Sequence, residues 1–174
     1  DQRKVIKEAV IRAQLAVEQW SPAKVQGVIS QAKNAMVTAE QYADQAHDWG
    51  SRTISKIYSA YEQVLAEQHG LDFDDLLLKL ALVLKNDEAL RREIDGRYSH
   101  VLIDEYQDTN SAQYNIAHLI TEQRKNLCAT GDPDQSIYGW RGADIRNILR
   151  FEEDHPDAKV VRLEQNYRST RRIL

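Results

Sequence analysis

Hydrophobic residues recur every three or four positions through the first 97 residues, which is the spacing of helices with one buried face. Helix-start and helix-stop residues divide this region into six predicted helices. The first ends near Trp20, the second opens at Ser21-Pro22, and the third begins near Thr38. The fourth runs from Ser51 to His69-Gly70, the fifth starts at Asp72, and the sixth runs from about 87 to 97. The buried side of the fifth helix is expected to carry Phe73, Leu76, Leu77, Leu80 and Leu84.

From about Tyr98 the pattern changes to short apolar runs that alternate with helical segments. We expect strands at 100–103, 126–130 and 159–163, with helices starting near Ser111 and covering about 143–153. Strands and helices in this order predict a parallel sheet with right-handed crossovers. The chain is therefore predicted to be an α/β protein, in which a helical subdomain is followed by a parallel sheet.

The composition, with 42% hydrophobic residues among 174, is that of a chain with a packed core. No apolar stretch approaches the roughly 20 residues of a membrane span, so we expect no membrane contact and a cytoplasmic location. A net charge of −4 argues against a broad basic surface, so any contact with nucleic acid must be local. The single cysteine, Cys128, excludes an internal disulfide and is predicted to be buried and inert.

The run from His100 to Ile103 leads directly into two acids, Asp104 and Glu105. In a parallel sheet the ligand crevice lies at the carboxyl ends of the strands, so this strand would deliver both carboxylates to it. One acid can hold Mg²⁺ and the next can orient or deprotonate an attacking water. The alternative is a strand that ends in a solvated turn.

Two later segments place polar and aromatic residues where the chain would leave the same sheet. In 127–143, a turn at 131–134 precedes Gln135, and Trp140 lies in a glycine-punctuated loop. An exposed indole can stack on the bases of single-stranded nucleic acid, whereas the alternative for Trp140 is a position in the core. In 160–170, an apolar run leads into Asn166-Tyr167-Arg168-Ser169, which by itself is a polar loop.

Together the three segments resemble the Walker B, third and fourth motifs of UvrD/PcrA/Rep-type superfamily 1 ATP-dependent DNA helicases. The resemblance extends over essentially the whole chain. It implies that residues 1–97 are the helical 1B subdomain and that 98–163 are the second half of the first RecA-like, P-loop NTPase motor domain. Residues 164–174 would begin the link to the second motor domain.

The resemblance also implies roles in nucleotide hydrolysis. Asp104 would bind Mg²⁺ together with Glu105, and Glu105 would act as the catalytic base. Gln135 would hydrogen-bond the γ-phosphate, for which a neutral amide is suited. Tyr167 would stack on the nucleotide, and Arg168 would reach the γ-phosphate as an arginine finger, because its charge is permanent and its planar fork can engage two oxygens.

Further residues are expected to connect the nucleotide to DNA. Gln107 and Asp108 resemble family positions that bind the nucleotide and couple the nucleotide state to neighbouring motifs. Trp140 is expected to stack on bases of single-stranded DNA, with Tyr138 and Arg141 as supporting contacts.

The activity implied by the resemblance is ATP-dependent 3′–5′ movement on single-stranded DNA and unwinding at its junctions with duplex DNA. The implied cofactors are ATP and Mg²⁺. The implied setting is repair or replication, with unspecified partner proteins of those pathways. The chain begins with Asp rather than Met and contains no Gly-x-x-x-x-Gly-Lys-[Ser/Thr] loop, so we expect a segment of a longer protein that is inactive alone. Two alternatives stay open: the helicase part of a RecB/AddA-like helicase-nuclease, and a non-catalytic DNA-binding or interaction module.

Overall fold

The computed structural model describes residues 2–173, in which helices alone precede residue 98. The helices of this region are α1 (Gln2–Arg12), α2 (Pro22–Asn34), α3 (Ala39–Gln45), α4 (Trp49–Glu67), α5 (Phe73–Asn86) and α6 (Glu88–Arg97). After residue 98 the elements are β1 (Val101–Ile103), α7 (Ser111–Ile120), β2 (Leu127–Ala129), α8 (Arg146–Leu149) and α9 (Phe151–Asp154). This order agrees with the α/β class, and the division into domains stays a prediction.

Helix α1 ends eight residues earlier than its periodicity predicts. Gln14 has a φ of 59°, Gln14 N donates to Ile11 O at 2.9 Å, and Leu15 N donates to Val10 O at 3.1 Å. This pair of bonds is the Schellman motif, which ends a helix with one left-handed residue. The prediction of a helix to Trp20 was therefore wrong, because apolar residues after the turn still pack on the core and continue the pattern.

Polar side chains start the next helices much as predicted. Thr38 and Asp72 each accept a hydrogen bond from the backbone three residues later, which completes capping boxes for α3 and α5. Helix α4 begins at Trp49 rather than at Ser51, because Asp48 is the capping residue and Ser51 is its partner in the box. The predicted stop at His69-Gly70 is confirmed, with His69 as the left-handed residue.

The core of the helical region lies where α1 and α2 pack around α4. Its fully buried members include Ile6, Val10, Ile29, Ile57, Tyr58 and Tyr61. The predicted face of α5 was wrong, since Phe73, Leu76 and Leu80 are exposed and only Leu84 of the predicted set is fully buried. The buried face instead carries Asp75, Leu78 and Ala81.

Helix α5 turns an acid inward because Lys33 of α2 is completely buried. Lys33 Nζ lies 2.8 Å from Asp72 Oδ2, 2.8 Å from Asp75 Oδ1 and 2.7 Å from Glu62 Oε1. Tyr61 Oη also donates to Asp72 Oδ2, at 2.7 Å. A buried ammonium requires such partners, so this ion cluster joins α2, α4 and α5.

The ion cluster perturbs its own protonation equilibria. Burial acts to lower the pKa of Lys33, but hydrogen bonds to Asp72 and Asp75 outweigh it and keep the pKa above its ordinary value. Burial acts to raise the pKa of Asp72, but hydrogen bonds from Lys33 and Tyr61 outweigh it and keep that pKa below its ordinary value. Both groups are therefore charged at neutral pH.

Strands β1 and β2 form a two-stranded parallel sheet, in which Leu102 lies opposite Cys128. Helix α7 connects the strands, as the alternating pattern predicts, and packs against α5 of the helical region. The prediction that Cys128 is buried was wrong: its side chain is exposed, and neighbouring Leu102 is 75% exposed on the same face. No described element covers that face.

The segment after β2 differs from its predicted form. The helix expected over 143–153 is divided into α8 and α9, and the strand expected at 159–163 is absent. These residues are exposed, and none of their backbone groups pairs with β1 or β2 within the described range 2–173. A strand persists only where a neighbouring strand takes up its hydrogen bonds.

Among the described residues, no helix combines the length and apolar composition that crossing a membrane requires.

Candidate active site

Asp104 and Glu105 leave the sheet at the carboxyl end of β1, beside the matching end of β2. Thr130 N donates to Ile103 O at 2.8 Å and Tyr106 N donates to Thr130 O at 2.9 Å, so the two chains stay paired around the acids. Glu105 has a φ of 52°, a left-handed conformation that few non-glycine residues adopt. This turn ends the strand and leaves both carboxylates exposed.

Gln107 connects the acid pair to the loop after β2. Its Nε2 donates to Glu105 Oε2 at 2.8 Å, and its Oε1 accepts from Asp132 N at 3.0 Å. The side chain is buried, with 1% exposed. A Cβ at Gly131 would lie 2.5 Å from Gln107 Oε1, so the close approach of the two loops requires glycine there.

Gln135 lies at the end of the same loop, in a 3₁₀ turn over Pro133–Gln135. Asp132 caps this turn by accepting from Asp134 N at 3.0 Å, and its Oδ2 accepts from Gln135 Nε2 at 2.7 Å. The predicted turn is therefore present, and it holds Gln135 at the surface. Glu105, Gln107, Asp132 and Gln135 form one hydrogen-bonded chain across the ends of β1 and β2.

Asp108 lies between this chain and a second part of the site. Its Oδ1 is buried and has no hydrogen-bond partner among the described residues. Asp108 lines a cavity of about 320 Å³, together with Asn110, Gln113, Tyr138, Arg141 and Ala143. The residues that follow the acid pair thus lie beside the aromatic loop.

The aromatic loop presents Tyr138, Trp140 and Arg141 at the surface. Trp140 is 76% exposed, which contradicts the alternative of a core position. The Arg141 guanidinium carbon lies 4.6 Å from the centroid of the Trp140 ring and 5.4 Å from that of Tyr138. A planar cation and two rings grouped in this way offer flat faces to an unpaired base.

Tyr167 and Arg168 are not brought to the acid pair. Tyr167 is 91% exposed, and Asn166 Oδ1 accepts from Arg168 N at 3.0 Å and from Ser169 N at 2.8 Å. Among residues 2–173, no hydrogen bond or ion pair joins either side chain to another element. Their predicted nucleotide contacts stay predictions.

Most of the chain matches a known protein family. A family model described as the UvrD/REP helicase N-terminal domain matches residues 1–156. The chain belongs to the UvrD/REP helicase family. The matched range contains the acid pair, Gln107, Gln135 and the aromatic loop, whereas Tyr167 and Arg168 lie beyond it.

Members of the UvrD/REP family are similar to the chain over its whole length. It is 42% identical to the ATP-dependent DNA helicase PcrA of Staphylococcus epidermidis over 174 residues, which are 100% of this chain and 24% of that protein. It is 41% identical to the ATP-dependent DNA helicase PcrA of Staphylococcus aureus, with the same coverage. The chain thus spans about a quarter of the length of these relatives.

The acid pair offers carboxylate oxygens, which are ligands that Mg²⁺ prefers. The described residues contain no group of three or more His, Cys, Asp or Glu side chains able to hold a metal ion. Asp104 Oδ1 accepts from Glu105 N at 3.0 Å and from Thr130 Oγ1 at 2.9 Å, while no described residue donates to its Oδ2. Mg²⁺ commonly takes one or two carboxylates and completes its octahedron with phosphate and water oxygens.

Sequence reasoning missed two residues of this region. Thr130 orients Asp104, and the rule that side chains at adjacent strand ends meet could have identified it. Asn34, at the end of α2, contacts the segment after the acid pair through Asn110. No spacing in the sequence connects residues 76 positions apart, so only the fold reveals this contact.

Proposed function

We propose that the protein containing this chain is an ATP-dependent DNA helicase that moves 3′ to 5′ on single-stranded DNA and unwinds duplex during repair or replication. The main support is the hydrogen-bonded chain from Glu105 through Gln107 and Asp132 to Gln135. A solvated turn at the end of a strand needs no such connection between two loops. The names of the PcrA relatives, which are ATP-dependent DNA helicases, agree with the proposal.

The acid pair would perform the hydrolytic step. Bound Mg²⁺ would neutralise developing charge on the phosphates, and Asp104 would hold it. Glu105 would accept the proton of the attacking water, because its carboxylate is exposed at the strand end. Its hydrogen bond from Gln107 Nε2 restricts the side chain to that position. Gln135 would donate its amide to the γ-phosphate.

The aromatic loop would hold single-stranded DNA. Trp140 and Tyr138 supply rings for stacking, and Arg141 supplies a positive charge against the backbone. Stacking requires no particular base, which suits an enzyme that moves along DNA. A local contact of this kind is also compatible with a net charge of −4.

The chain would supply only part of the motor. We place a 1B-like helical subdomain at 1–97, the second half of a RecA-like domain at 98–163, and the start of a link at 164–174. The phosphate-binding loop would come from elsewhere in the full-length protein, so the 174 residues alone would not hydrolyse ATP. Tyr167 and Arg168 would reach the nucleotide in the complete two-domain motor.

Replacing the base tests the proposal in the full-length protein. We expect Glu105→Gln to slow single-strand-stimulated ATP hydrolysis by roughly 100-fold or more, the range of general base catalysis. Binding of ATP and of single-stranded DNA should change by less than about twofold, since an amide of the same shape keeps an oxygen at that position and Asp104 still holds Mg²⁺.

The matched control is Glu40→Gln, an exposed acid in the first turn of α3, which should leave hydrolysis unchanged. Hydrolysis by Glu105→Gln within about tenfold of the wild-type rate would exclude Glu105 as the base. A full-length protein that binds DNA but never hydrolyses ATP would instead be a non-catalytic binding module.

A further inference from the structure

Asn34 is a hydrogen-bonding junction between the helical region and the site. Its side chain is 9% exposed, although it lies at the last position of α2. Asn34 Nδ2 donates to Ser30 O at 2.8 Å and to Asp74 Oδ1 at 3.1 Å, which ties it to α2 and α5. Asn34 Oδ1 accepts from Asn110 Nδ2 at 2.5 Å. The amide of Asn34 thus donates two hydrogen bonds and accepts a third, which a hydroxyl with its single O–H cannot do.

Asn110 carries the connection into the segment that follows the acid pair. It caps α7, since its Oδ1 accepts from Gln113 N at 2.9 Å, and it is 6% exposed. Its Oδ1 therefore caps α7, while its Nδ2 donates to Asn34 and to no other described residue. The position of α7 and of residues 106–110 is thus tied to the end of α2.

The aromatic loop ends against the same junction. Gly142 has a φ of +90°, and a Cβ built on it would lie 3.2 Å from Asn34 Cβ, so the loop backbone passes directly over Asn34. Two residues later, Asp144 N donates to Thr109 O at 2.9 Å. The end of the loop is therefore held by Asn34 on one side and by the neighbour of Asn110 on the other.

We propose that Asn34 is a positioning residue that sets the place of the aromatic loop relative to the acid pair, and so tunes the affinity of the site for single-stranded DNA. This inference rests on the proposed function. Asn34 acts through Asn110 and Gly142 and touches neither DNA nor nucleotide. The helical region thereby influences DNA binding through one buried amide pair.

The sharpest probe is Asn110→Asp in the full-length protein. Asp caps a helix as well as Asn does, so α7 keeps its cap. The carboxylate has no N–H to give Asn34, so the junction bond is lost and an acceptor oxygen faces Asn34 Oδ1 in its place. Asn34→Ala removes the same bond from the other side, together with the bonds from Asn34 Nδ2 to Ser30 O and Asp74 Oδ1. The matched control is Asn115→Ala: among residues 2–173, Asn115 Nδ2 donates only to Ser111 O of its own helix, at 2.7 Å.

The measurement is ATP hydrolysis against the concentration of single-stranded oligodeoxythymidine. We expect each junction variant to raise the half-saturating DNA concentration roughly five- to tenfold, the effect of one lost hydrogen bond. The kcat at saturating DNA should stay within about twofold, because the acid pair is untouched. The half-saturating DNA concentration of the double variant should not exceed that of the weaker-binding single variant, since both substitutions remove the same Asn34–Asn110 hydrogen bond.

Two results would overturn the inference. In one, Asn110→Asp matches Asn115→Ala in half-saturating DNA concentration. In the other, only kcat falls, which is the result of a smaller folded fraction rather than of a displaced loop. A wild-type protein whose hydrolysis does not respond to DNA would refute the proposed function itself, whatever the variants do.

Discussion

Replacing Lys33 by methionine would remove the only cation that is fully enclosed by the ion cluster among the described residues. Lys33 has no exposed surface, and its ammonium faces Asp72, Asp75 and Glu62 at 2.7 to 2.8 Å. Methionine has a similar length and can fill the space. Its thioether leaves Asp72 without a compensating charge, and leaves Asp75 and Glu62 with only the partly exposed Lys79.

The magnitude follows from how deeply the acids are buried. The side chain of Asp75 is 0% exposed and that of Asp72 is 4% exposed, whereas Glu62 is 27% exposed and can be hydrated. Removing one partner of a buried ion pair costs about 3–5 kcal/mol. For a chain of this size that corresponds to a thermal midpoint lowered by roughly 6–20 °C.

The assay is urea unfolding of the 174-residue chain followed by far-ultraviolet circular dichroism. The matched control is Lys79→Met, because Lys79 is 44% exposed and lies 3.5 Å from Asp75 and 3.8 Å from Glu62. Exposed pairs of this kind contribute about 0–1 kcal/mol. Lys33→Met combined with Asp75→Asn should recover part of the loss, since one uncompensated charge is removed.

A Lys33→Met variant that loses less than about 1 kcal/mol would refute the reasoning, because the acids would then be hydrated or protonated at little cost. Equal losses for Lys33→Met and Lys79→Met would also refute it. The argument depends on the difference in burial between the two lysines.

Three further predictions concern pH, stacking and loop contact. The contribution of Lys33 and Asp72 to the free energy of unfolding should be nearly constant between about pH 4 and 10 and fall on either side. The pKa of Asp72 is lowered, so its contribution is lost as the pH drops through that pKa. The pKa of Lys33 is raised, so its contribution is lost as the pH rises through that pKa. Urea unfolding at a series of pH values measures this. Trp140→Ala should weaken single-strand binding by the full-length protein roughly 5- to 150-fold, as measured by fluorescence anisotropy of labelled DNA. Gly131→Ala should lower its DNA-stimulated ATP hydrolysis at least about tenfold, because the methyl group would displace the Gln107 side chain.

Each of these predictions has a control and a contradicting result. An Asp72→Asn chain should show a weaker acid dependence, and an unchanged one would exclude Asp72 as its source. Trp49 is 74% exposed, like Trp140, but lies in α4, so Trp49→Ala should leave DNA binding unaltered. Gly139→Ala meets no atom within 4 Å and should be neutral. Equal losses of DNA binding for Trp140→Ala and Trp49→Ala would contradict the stacking role of Trp140. Equal losses of ATP hydrolysis for Gly131→Ala and Gly139→Ala would contradict the requirement for glycine at 131.

Local signals in the sequence predicted much of the fold. Capping residues such as Thr38 and Asp72 act within one turn, so their effects can be recognised without the tertiary structure. The runs that became β1 and β2 were found because the strands of parallel sheets are read from the sequence as short apolar runs. The chemical types of the acid pair and of Gln135 were equally visible, and the family resemblance assigned their roles.

The remaining errors have non-local causes. The inward face of α5 depends on the contact between Asp75 and Lys33, which lies 42 residues earlier in the chain. A prediction from hydrophobic spacing assigns both charged residues to the surface. The expected strand at 159–163 has the right composition but no partner strand within the described residues. The Asn34 junction depends on two amides 76 positions apart. None of these contacts leaves a periodic pattern.

The most direct test of the account is the rate of ATP hydrolysis by the full-length protein, with and without single-stranded oligodeoxythymidine, beside the 174-residue chain under the same conditions. The account predicts that DNA strongly stimulates hydrolysis by the full-length protein and that the 174-residue chain shows no hydrolysis. Hydrolysis by the 174-residue chain alone would contradict the need for a separate phosphate-binding loop. If single-stranded DNA does not change the rate of ATP hydrolysis by the full-length protein, the assignment of the acid pair and the aromatic loop to one motor is contradicted.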